Sequence, residues 1–439
     1  MADKAHLNIV FIGHVDAGKS TLSGQILYLG GEVDERTLEK YKIEAAAQNR
    51  ESWALSWAMD IDEGEREKGK TAECGRASFE TANRTISIID APGHKNFVPR
   101  MIAGASQADV AILIVSARKG EYETGFEKGG QTREHAILVR TTGVSRIVIA
   151  VNKMDDPTVQ WDEGRYTKIV TQITKFLRQL GFPKNAISSL PLSGVTGSNV
   201  RDRDDSCAWY KGPSLFEALD AVEIPKREST GPMYMPILDK YKETGLVLLG
   251  KLQQGRLEKD ATYTVTPGGF SVAVTEVGVE KYDRDFATAG DNVHIKIRTT
   301  DDHFDVHPGS VIHDSSLTIG VTREFIAKVS IMEAPDPKKL ISVGSEFMIH
   351  LGAAEVRATV KVLMARLGPD GKAVTVTDMN GNRRPERISF ITKPGVYVIR
   401  FETDMPLAMA PFETFQPLGR FCIREGDTTL GVGVVHKLA

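Results

Sequence analysis

The sequence lacks the features by which secreted, membrane-spanning and strongly basic proteins are recognised. Its 439 residues include only three cysteines, an odd and widely spaced set that excludes a disulfide framework or a zinc motif. No apolar run approaches the roughly 20 residues that a membrane helix needs, and the first residues have neither the basic start nor the cleavage site of a signal peptide. The sequence therefore predicts a cytoplasmic protein without a membrane contact.

An excess of either charge is also missing. The 55 basic and 58 acidic residues leave a net charge of -3, so no overall positive field draws the chain to nucleic acid. Hydrophobic residues make up 41% of the chain and charged residues 26%, proportions that argue against disorder and a coiled coil. At roughly 150 residues a domain, a chain of this length has room for about three globular domains.

Short apolar runs alternate with helical patterns through the first half of the sequence. Four such runs, with the length and composition of strands buried on both faces, occupy residues 8–12, 85–89, 110–115 and 146–151. Between Tyr166 and Leu180 the apolar residues fall on one helix face, and Gly181 follows where a helix cap belongs. Strands that alternate with helices predict a doubly wound α/β domain with a mostly parallel sheet over residues 1–229.

The pattern changes after Gly231 and Pro232 to alternation of apolar and polar residues, which is typical of strands with one buried face. The alternating segments are 263–265, 272–279, 293–297, 356–362, 396–401 and 421–423. The stretch is long enough for two small all-β barrel domains, which we expect over residues 230–319 and 320–439.

A phosphate-binding loop is predicted directly after the first apolar run. The pattern of two glycines followed by Lys, Ser and a helical segment covers Gly13, His14, Val15, Asp16, Ala17, Gly18, Lys19, Ser20 and Thr21. Backbone amides of such a loop surround phosphate oxygens, while Lys19 supplies a positive charge and Ser20 is positioned to ligate Mg²⁺. Two interpretations of Asp16 stay open, a ligand of a monovalent cation or water and an ordinary capping or solvated loop residue.

A guanine-binding site is predicted where two further strands end. Its candidate residues are Asn152, Lys153, Asp155, Ser193, Gly194 and Val195. A carboxylate at Asp155 can accept hydrogen bonds from guanine N1–H and the exocyclic amine, and a site built for such an edge rejects an analogue lacking it by roughly 10⁴ to 10⁵. Alone, each short motif also fits a solvated loop or a Ser/Gly turn. Their occurrence together with the phosphate loop favours a guanine site.

A catalytic turn is predicted after the 85–89 run. Asp90 can hold a water bound to Mg²⁺, Gly93 lets its amide approach the γ phosphate, and His94 can orient the attacking water. The alternative for His94 is an ordinary surface histidine. Thr71, at the end of the charged run 62–71, is the candidate second Mg²⁺ ligand, although by itself that run reads as a solvated helix or loop.

On these motifs the sequence resembles the translational GTPases over nearly its whole length. Segments 69–71, 121–135 and 155–159 are similar to the eukaryotic class II release-factor branch, and 419–424 is shared with its sister branches. The resemblance implies a P-loop GTP-binding domain followed by two β-barrels, with GTP or GDP and Mg²⁺ as ligands. It assigns family roles to Lys19, Ser20, Thr71, Asp90, Gly93, His94, Asn152, Lys153, Asp155 and Ser193.

The same resemblance implies a role in translation termination. In that role the chain hydrolyses GTP on the ribosome while in complex with the stop-codon-recognising class I release factor. The release factor docks mainly on domain 3, the barrel expected over residues 320–439. We expect the free chain to be a monomer. Three alternatives stay open: ribosome rescue, GTP-dependent delivery of aminoacyl-tRNA, and a metabolic GTPase that acts without the ribosome.

Overall fold

The computed structural model describes most of the chain, namely residues 4–47, 54–58, 75–92, 98–127, 130–223, 227, 229–242, 245–279, 282–301, 303–332, 340–377, 383–426 and 428–439. The chain divides into two compact units, Met1–Arg140 with Val144–Pro225, and Thr141–Gly143 with Lys226–Ala439. The predicted α/β domain and the two β-barrels after it are confirmed. The predicted domain boundaries after residues 229 and 319 stay predictions. None of the described helices is long and apolar enough to cross a membrane.

The first unit is built from alternating strands and helices. Its strands are β1 (Ala5–Ile12), β2 (Gly75–Glu80), β3 (Arg84–Asp90), β4 (Val110–Ser116), β5 (Arg146–Asn152) and β6 (Ile187–Pro191). The described helices before residue 226 are α1 (Lys19–Leu29), α2 (Glu35–Ala47), α3 (Val98–Ala105), α4 (Glu121–Phe126), α5 (Gln131–Thr141), α6 (Glu163–Gln179) and α7 (Leu215–Ala221). All seven residues of β4 are buried, as expected for a strand covered on both faces.

The strands form one six-stranded sheet in the order β2-β3-β1-β4-β5-β6. Only the pair β2 and β3 is antiparallel, and every other neighbouring pair is parallel. The carboxyl ends of β1, β3, β4, β5 and β6 therefore lie along one edge of the sheet. In open α/β sheets this edge carries the ligand site.

Helix α6 begins where a side chain caps it and ends near a glycine. The Asp162 carboxylate accepts a hydrogen bond from the backbone N–H of Arg165 at 2.5 Å, and the helix starts at Glu163. Gly181, just after the helix, takes a left-handed φ of 89° that suits glycine. The sequence pattern starts this helix three residues late, at Tyr166, because the cap precedes the first buried side chain.

The second unit begins with a barrel of short antiparallel strands. Its strands are β7 (Tyr234–Lys242), β8 (Leu246–Lys251), β9 (Arg256–Glu258), β10 (Thr262–Thr266), β11 (Phe270–Val279), β12 (Tyr282–Arg284), β13 (Phe286–Thr288), β14 (Asn292–Arg298) and β15 (Val311–His313). The main sheet runs β10-β15-β7-β8-β14-β11-β12, and pairing of β10 with β11 closes six of these strands into a ring. Alternating buried positions, as in β14, fill the ring with aliphatic side chains.

A second barrel follows, closed in the order β16-β23-β19-β18-β24-β25. The strands of this region are β16 (Gly320–Ile331), β17 (Ile341–Ser342), β18 (Glu346–Leu351), β19 (Ala354–Leu367), β20 (Thr375–Thr377), β21 (Arg383–Pro385), β22 (Phe390–Ile391), β23 (Gly395–Met409), β24 (Arg420–Glu425) and β25 (Thr428–Leu438). Phe325, Phe401 and Phe421 meet in its core, with ring centroids 5.5 to 6.2 Å apart. Such aromatic contacts add to the stabilisation from burial.

The two barrels pack directly on each other. Tyr234 of the first barrel belongs to the buried core of the second, and its ring centroid lies 4.4 Å from that of Phe415. Gly309 has a left-handed φ of 90°, and a Cβ atom there would lie 2.3 Å from the Cβ atom of Ala354. Only glycine permits this close approach without a shift of the backbone.

Candidate functional site

The predicted phosphate loop connects the carboxyl end of β1 to the amino end of α1. Gly13 and Gly18 have φ angles of 145° and 91°, a region that side chains other than glycine rarely adopt. A Cβ atom on Gly13 would lie 2.2 Å from the backbone oxygen of Ile114 on the adjacent β4 strand. The loop therefore requires glycine at both positions for its backbone to turn towards the helix.

Lys19 and the start of α1 give this loop its positive character. The Lys19 ammonium is buried and donates hydrogen bonds to the backbone oxygens of Gly13 at 3.2 Å and His14 at 2.9 Å. Burial lowers the pKa of Lys19, and the Asp90 and Asp16 charges act against that shift. No side chain caps the amino end of α1 at Gly18, so the helix presents backbone N–H groups that can bind an anion.

Helix α5 holds the phosphate loop in place from the protein interior. The N–H of Val15 donates to Gln131 Oε1 at 3.1 Å, and the N–H of Gly13 donates to His135 Nδ1 at 3.2 Å. Both α5 side chains are buried. Burial and the Lys19 charge lower the pKa of the neighbouring His14. No sequence motif marks Gln131 or His135 as supports of the site, although both lie in a segment similar to the release-factor branch.

Asn152 joins three loops at the centre of the site. Its Nδ2 donates to the backbone oxygen of Ala17 at 2.9 Å, and its Oδ1 accepts hydrogen bonds from the N–H groups of Lys153 and Gly194, both at 2.8 Å. The side chain is 2% exposed. A Cβ atom on Gly18 would lie 2.4 Å from Asn152 Nδ2, so the two predicted motifs are in direct contact. Asn152 thus acts by positioning the phosphate loop and both base-site loops.

Replacing Asn152 by Ala is expected to weaken GDP binding by roughly 10²-fold. Three hydrogen bonds are lost at about 1 kcal/mol each, and the buried groups that made them lose their partner. Titration of the purified variant with a fluorescent GDP analogue measures the effect. The matched control is Asn8→Ala, a buried asparagine in β1 whose Nδ2 donates to Asp109 Oδ2 at 3.3 Å. This control should lower thermal stability without changing GDP affinity, and equal losses of affinity in both variants would contradict the bridging role.

The loop after β5 contains two adjacent carboxylates with different surroundings. Asp156 is buried and accepts hydrogen bonds from the N–H and Oγ1 of Thr158 at 2.9 and 2.6 Å. Its other carboxylate oxygen accepts a hydrogen bond from Arg118 Nε. Hydrogen bonds from Thr158 and Arg118 lower the pKa of Asp156 to about 2. Asp155 is half-buried, and the described part of the chain gives its carboxylate no hydrogen-bond partner. Asp155 is therefore the carboxylate available to a ligand.

The loop after β6 completes the predicted base site. Ser193 is fully buried, and its Oγ accepts a hydrogen bond from the N–H of Thr196 at 3.1 Å. The N–H of Gly197 donates to the backbone oxygen of Ser193 at 3.0 Å, which closes the turn. Val195 lies at the tip of the turn with 59% of its surface exposed. The turn offers a purine ring an apolar contact beside backbone amides.

The oxygen ligands expected for Mg²⁺ are only partly within the described chain. Ser20 lies in the first turn of α1, and Asp90 is the last residue of β3, where it is 1% exposed and close enough to Lys19 for its charge to act to raise the pKa of Lys19. A hydroxyl and a carboxylate are ligand types that Mg²⁺ takes, so these two residues fit the ion. Thr71, Gly93 and His94 lie outside the described residues, and their assignment stays a prediction.

Comparison with protein families gives two matches. Residues 4–226 match the family model described as the elongation factor Tu GTP binding domain. Residues 324–436 match the family model of the GTP-eEF1A C-terminal domain-like group. The first match covers the α/β unit that contains the site, and the second covers the last barrel.

Curated relatives resemble the chain from end to end. It is 43% identical over 444 residues to the eukaryotic peptide chain release factor GTP-binding subunit of Schizosaccharomyces pombe, which covers 100% of this chain and 65% of that protein. The protein of the same name from Candida maltosa is 42% identical and covers 99% of this chain and 60% of its own length. The chain thus spans less than two thirds of either relative.

A solved structure supports the fold. The Ski7 GTPase-like domain of Saccharomyces cerevisiae, bound to GDP and inorganic phosphate, aligns with a TM-score of 0.78 over 99% of this chain and 97% of that domain. The two sequences are 16% identical. At this identity the likeness shows that the chains share an architecture of one α/β domain and two barrels.

Proposed function

The chain belongs to the translational GTPase family through its elongation factor Tu GTP-binding domain, and from this premise we propose that it is a GTPase of translation termination. It binds and hydrolyses GTP on the ribosome while in complex with the class I release factor that recognises stop codons. The reaction yields GDP and phosphate, and its purpose is to promote release of the finished peptide.

The observation that carries this proposal is the similarity of the whole chain to release-factor GTP-binding subunits. Two fungal proteins of that name are 43% and 42% identical to the chain and match 100% and 99% of it. The likeness covers both barrels as well as the nucleotide-binding unit. The sequence of segment 121–135 is similar to that of the release-factor branch, and this segment also contacts the phosphate loop through Gln131 and His135.

The site residues have distinct roles in the proposed reaction. Lys19 and the N–H groups of the phosphate loop bind the β and γ phosphates and stabilise the charge that develops on them in the transition state. Ser20, Asp90 and Thr71 would hold Mg²⁺, which when bound neutralises charge on the phosphate oxygens. Asp155 selects guanine. His94 orients the attacking water. The backbone amide of the neighbouring Gly93 binds the γ phosphate.

The partner contact belongs to the same proposal. The class I release factor docks mainly on domain 3, the barrel of residues 320–439, while the ribosome stimulates hydrolysis. The free chain is a monomer, and it works in the cytoplasm, where ribosomes and release factors meet.

A pull-down with two candidate partners tests the function. The purified chain with a non-hydrolysable GTP analogue should retain the class I release factor and should not retain the related ribosome-rescue factor. A chain truncated after residue 319 is the control for the domain 3 contact, provided that it still binds GDP. It should lose the release factor while GDP binding is preserved.

Three other results, one in the same pull-down and two in separate assays, would overturn the proposal in favour of a named alternative. Retention of the rescue factor alone would indicate ribosome rescue. GTP-dependent retention of charged tRNA on a nitrocellulose filter would indicate a carrier of aminoacyl-tRNA. Rapid GTP turnover without ribosomes would indicate a metabolic GTPase.

A further inference from the structure

A row of alternating charges links helix α4 to the loop after β5, which we call the base-site loop. Lys153 Nζ lies 2.8 Å from Glu121 Oε2, and Arg118 contacts both Glu121 Oε1, at 3.3 Å, and the carboxylate of Asp156. The Lys153 and Glu121 side chains are 19% and 35% exposed, so water screens their attraction less than it does for a surface pair. Burial acts to raise the pKa of Glu121, but hydrogen bonds from Lys153 and Ser116 outweigh it and leave the pKa below its usual value.

A second ion pair fixes the helix that carries Glu121. Arg165 NH1 lies 2.7 Å from Glu123 Oε1, and Arg165 Nε donates to the backbone oxygen of Ala117 at 2.8 Å. The other oxygen of Glu123 accepts a hydrogen bond from the N–H of Gly120 at 2.7 Å. The hydrogen bond from Arg165 lowers the pKa of Glu123 to about 2. Glu121 therefore projects from a helix whose position is fixed independently of Lys153.

The same part of the chain also holds the phosphate loop. We call residues 118–127 and 130–135 the support segment. Its Gln131 and His135 accept hydrogen bonds from the N–H groups of Val15 and Gly13, and a Cβ atom on Gly125 would lie 3.1 Å from the Cβ atom of His14. The support segment thus contacts both the phosphate loop and the loop that carries Lys153.

We propose that Glu121 is a positioning residue that sets how long a guanine nucleotide stays bound, by fixing Lys153 of the base-site loop before the nucleotide arrives. The inference rests on guanine-nucleotide binding at this site. A free lysine samples many rotamers, and ordering it on binding costs entropy that weakens affinity. With its ammonium held by Glu121, the four-carbon stem of Lys153 is ordered beforehand and can cover the face of a purine ring.

Glu121→Gln is expected to speed GDP dissociation by about tenfold, with little change in the association rate. The amide keeps the size of the side chain but removes the charge that strengthens its hydrogen bond to Lys153. Stopped-flow mixing with a fluorescent GDP analogue measures the association rate, and displacement of the bound analogue by excess GDP measures the dissociation rate. The matched control is Glu80→Gln, because Glu80 pairs with Lys4 at 2.7 Å near the opposite ends of the strands, roughly 25 Å from the phosphate loop. The control should release GDP at the rate of the unmodified chain.

A double-mutant cycle separates positioning from a general structural role. If Glu121 acts through Lys153, then Glu121→Gln should not speed GDP release further in a chain that already carries Lys153→Met. An equal acceleration in both backgrounds, or unchanged release in the single variant, would overturn the inference while leaving the proposed function standing. Failure of the unmodified chain to bind GDP would instead overturn the proposed function.

Discussion

Asp155→Asn is expected to weaken GTP binding by about 10²- to 10⁴-fold and to create binding of xanthosine triphosphate. The Asp155 carboxylate has no hydrogen-bond partner in the described chain and follows the carboxyl end of β5, so both oxygens are available to the N1–H and amino group of guanine. An amide keeps one acceptor and replaces the other with a donor, so one hydrogen bond is lost and an N–H group then faces the guanine amine. The lost hydrogen bond to a charged group costs about 1.5–3 kcal/mol, and the N–H left without an acceptor costs about 1–3 kcal/mol more, which together give the expected range.

Competition binding with guanosine and xanthosine triphosphates measures this change in preference. Asp156→Asn is the matched control, since it makes the same chemical change one residue along. Because Asp156 is occupied by Thr158 and Arg118, the control should loosen the loop without creating affinity for the xanthine nucleotide. A switch of base preference in the control, or an unchanged preference in Asp155→Asn, would show that Asp155 is not the carboxylate that binds guanine.

His94→Ala is expected to lower ribosome-stimulated GTP hydrolysis by about 10²- to 10⁴-fold while GDP and GTP affinities stay nearly intact. A positioned general base or water-orienting group contributes roughly this factor to a rate, and it contributes little to ground-state binding. Single-turnover hydrolysis on ribosomes, measured at saturating protein, separates the chemical step from binding.

A second histidine provides the contrasting control. His135 Nδ1 accepts a hydrogen bond from the N–H of Gly13 and is fully buried. His135→Ala should therefore reduce nucleotide affinity through the phosphate loop. If His94→Ala weakens binding as much as hydrolysis, His94 supports the fold of the loop and does not act on water.

The sequence predicted features whose signal is local. Gly13 and Gly18 were identified from the spacing of one loop, and the structure shows why each must be glycine. The continuous apolar run at 110–115 indicated a strand buried on both faces, and β4, one residue longer, is such a strand. The alternating pattern in 293–297 likewise fell within β14, where every second residue is buried.

The contacts between distant segments could not be predicted in this way. Gln131 and Val15 are 116 residues apart, and Asn152 and Ala17 are 135 apart, so no periodicity or motif relates them. Similarly, two neighbouring aspartates look alike in the sequence. The hydrogen bonds that Thr158 and Arg118, the latter on a different loop, make to Asp156 distinguish it from the available Asp155.

The packing of Gly309 against Ala354 has a mechanical consequence. Since Tyr234 is embedded in the core of the neighbouring barrel, the two barrels share buried surface and are expected to move together. A side chain at position 309 would push the two barrels apart at this contact and weaken that coupling.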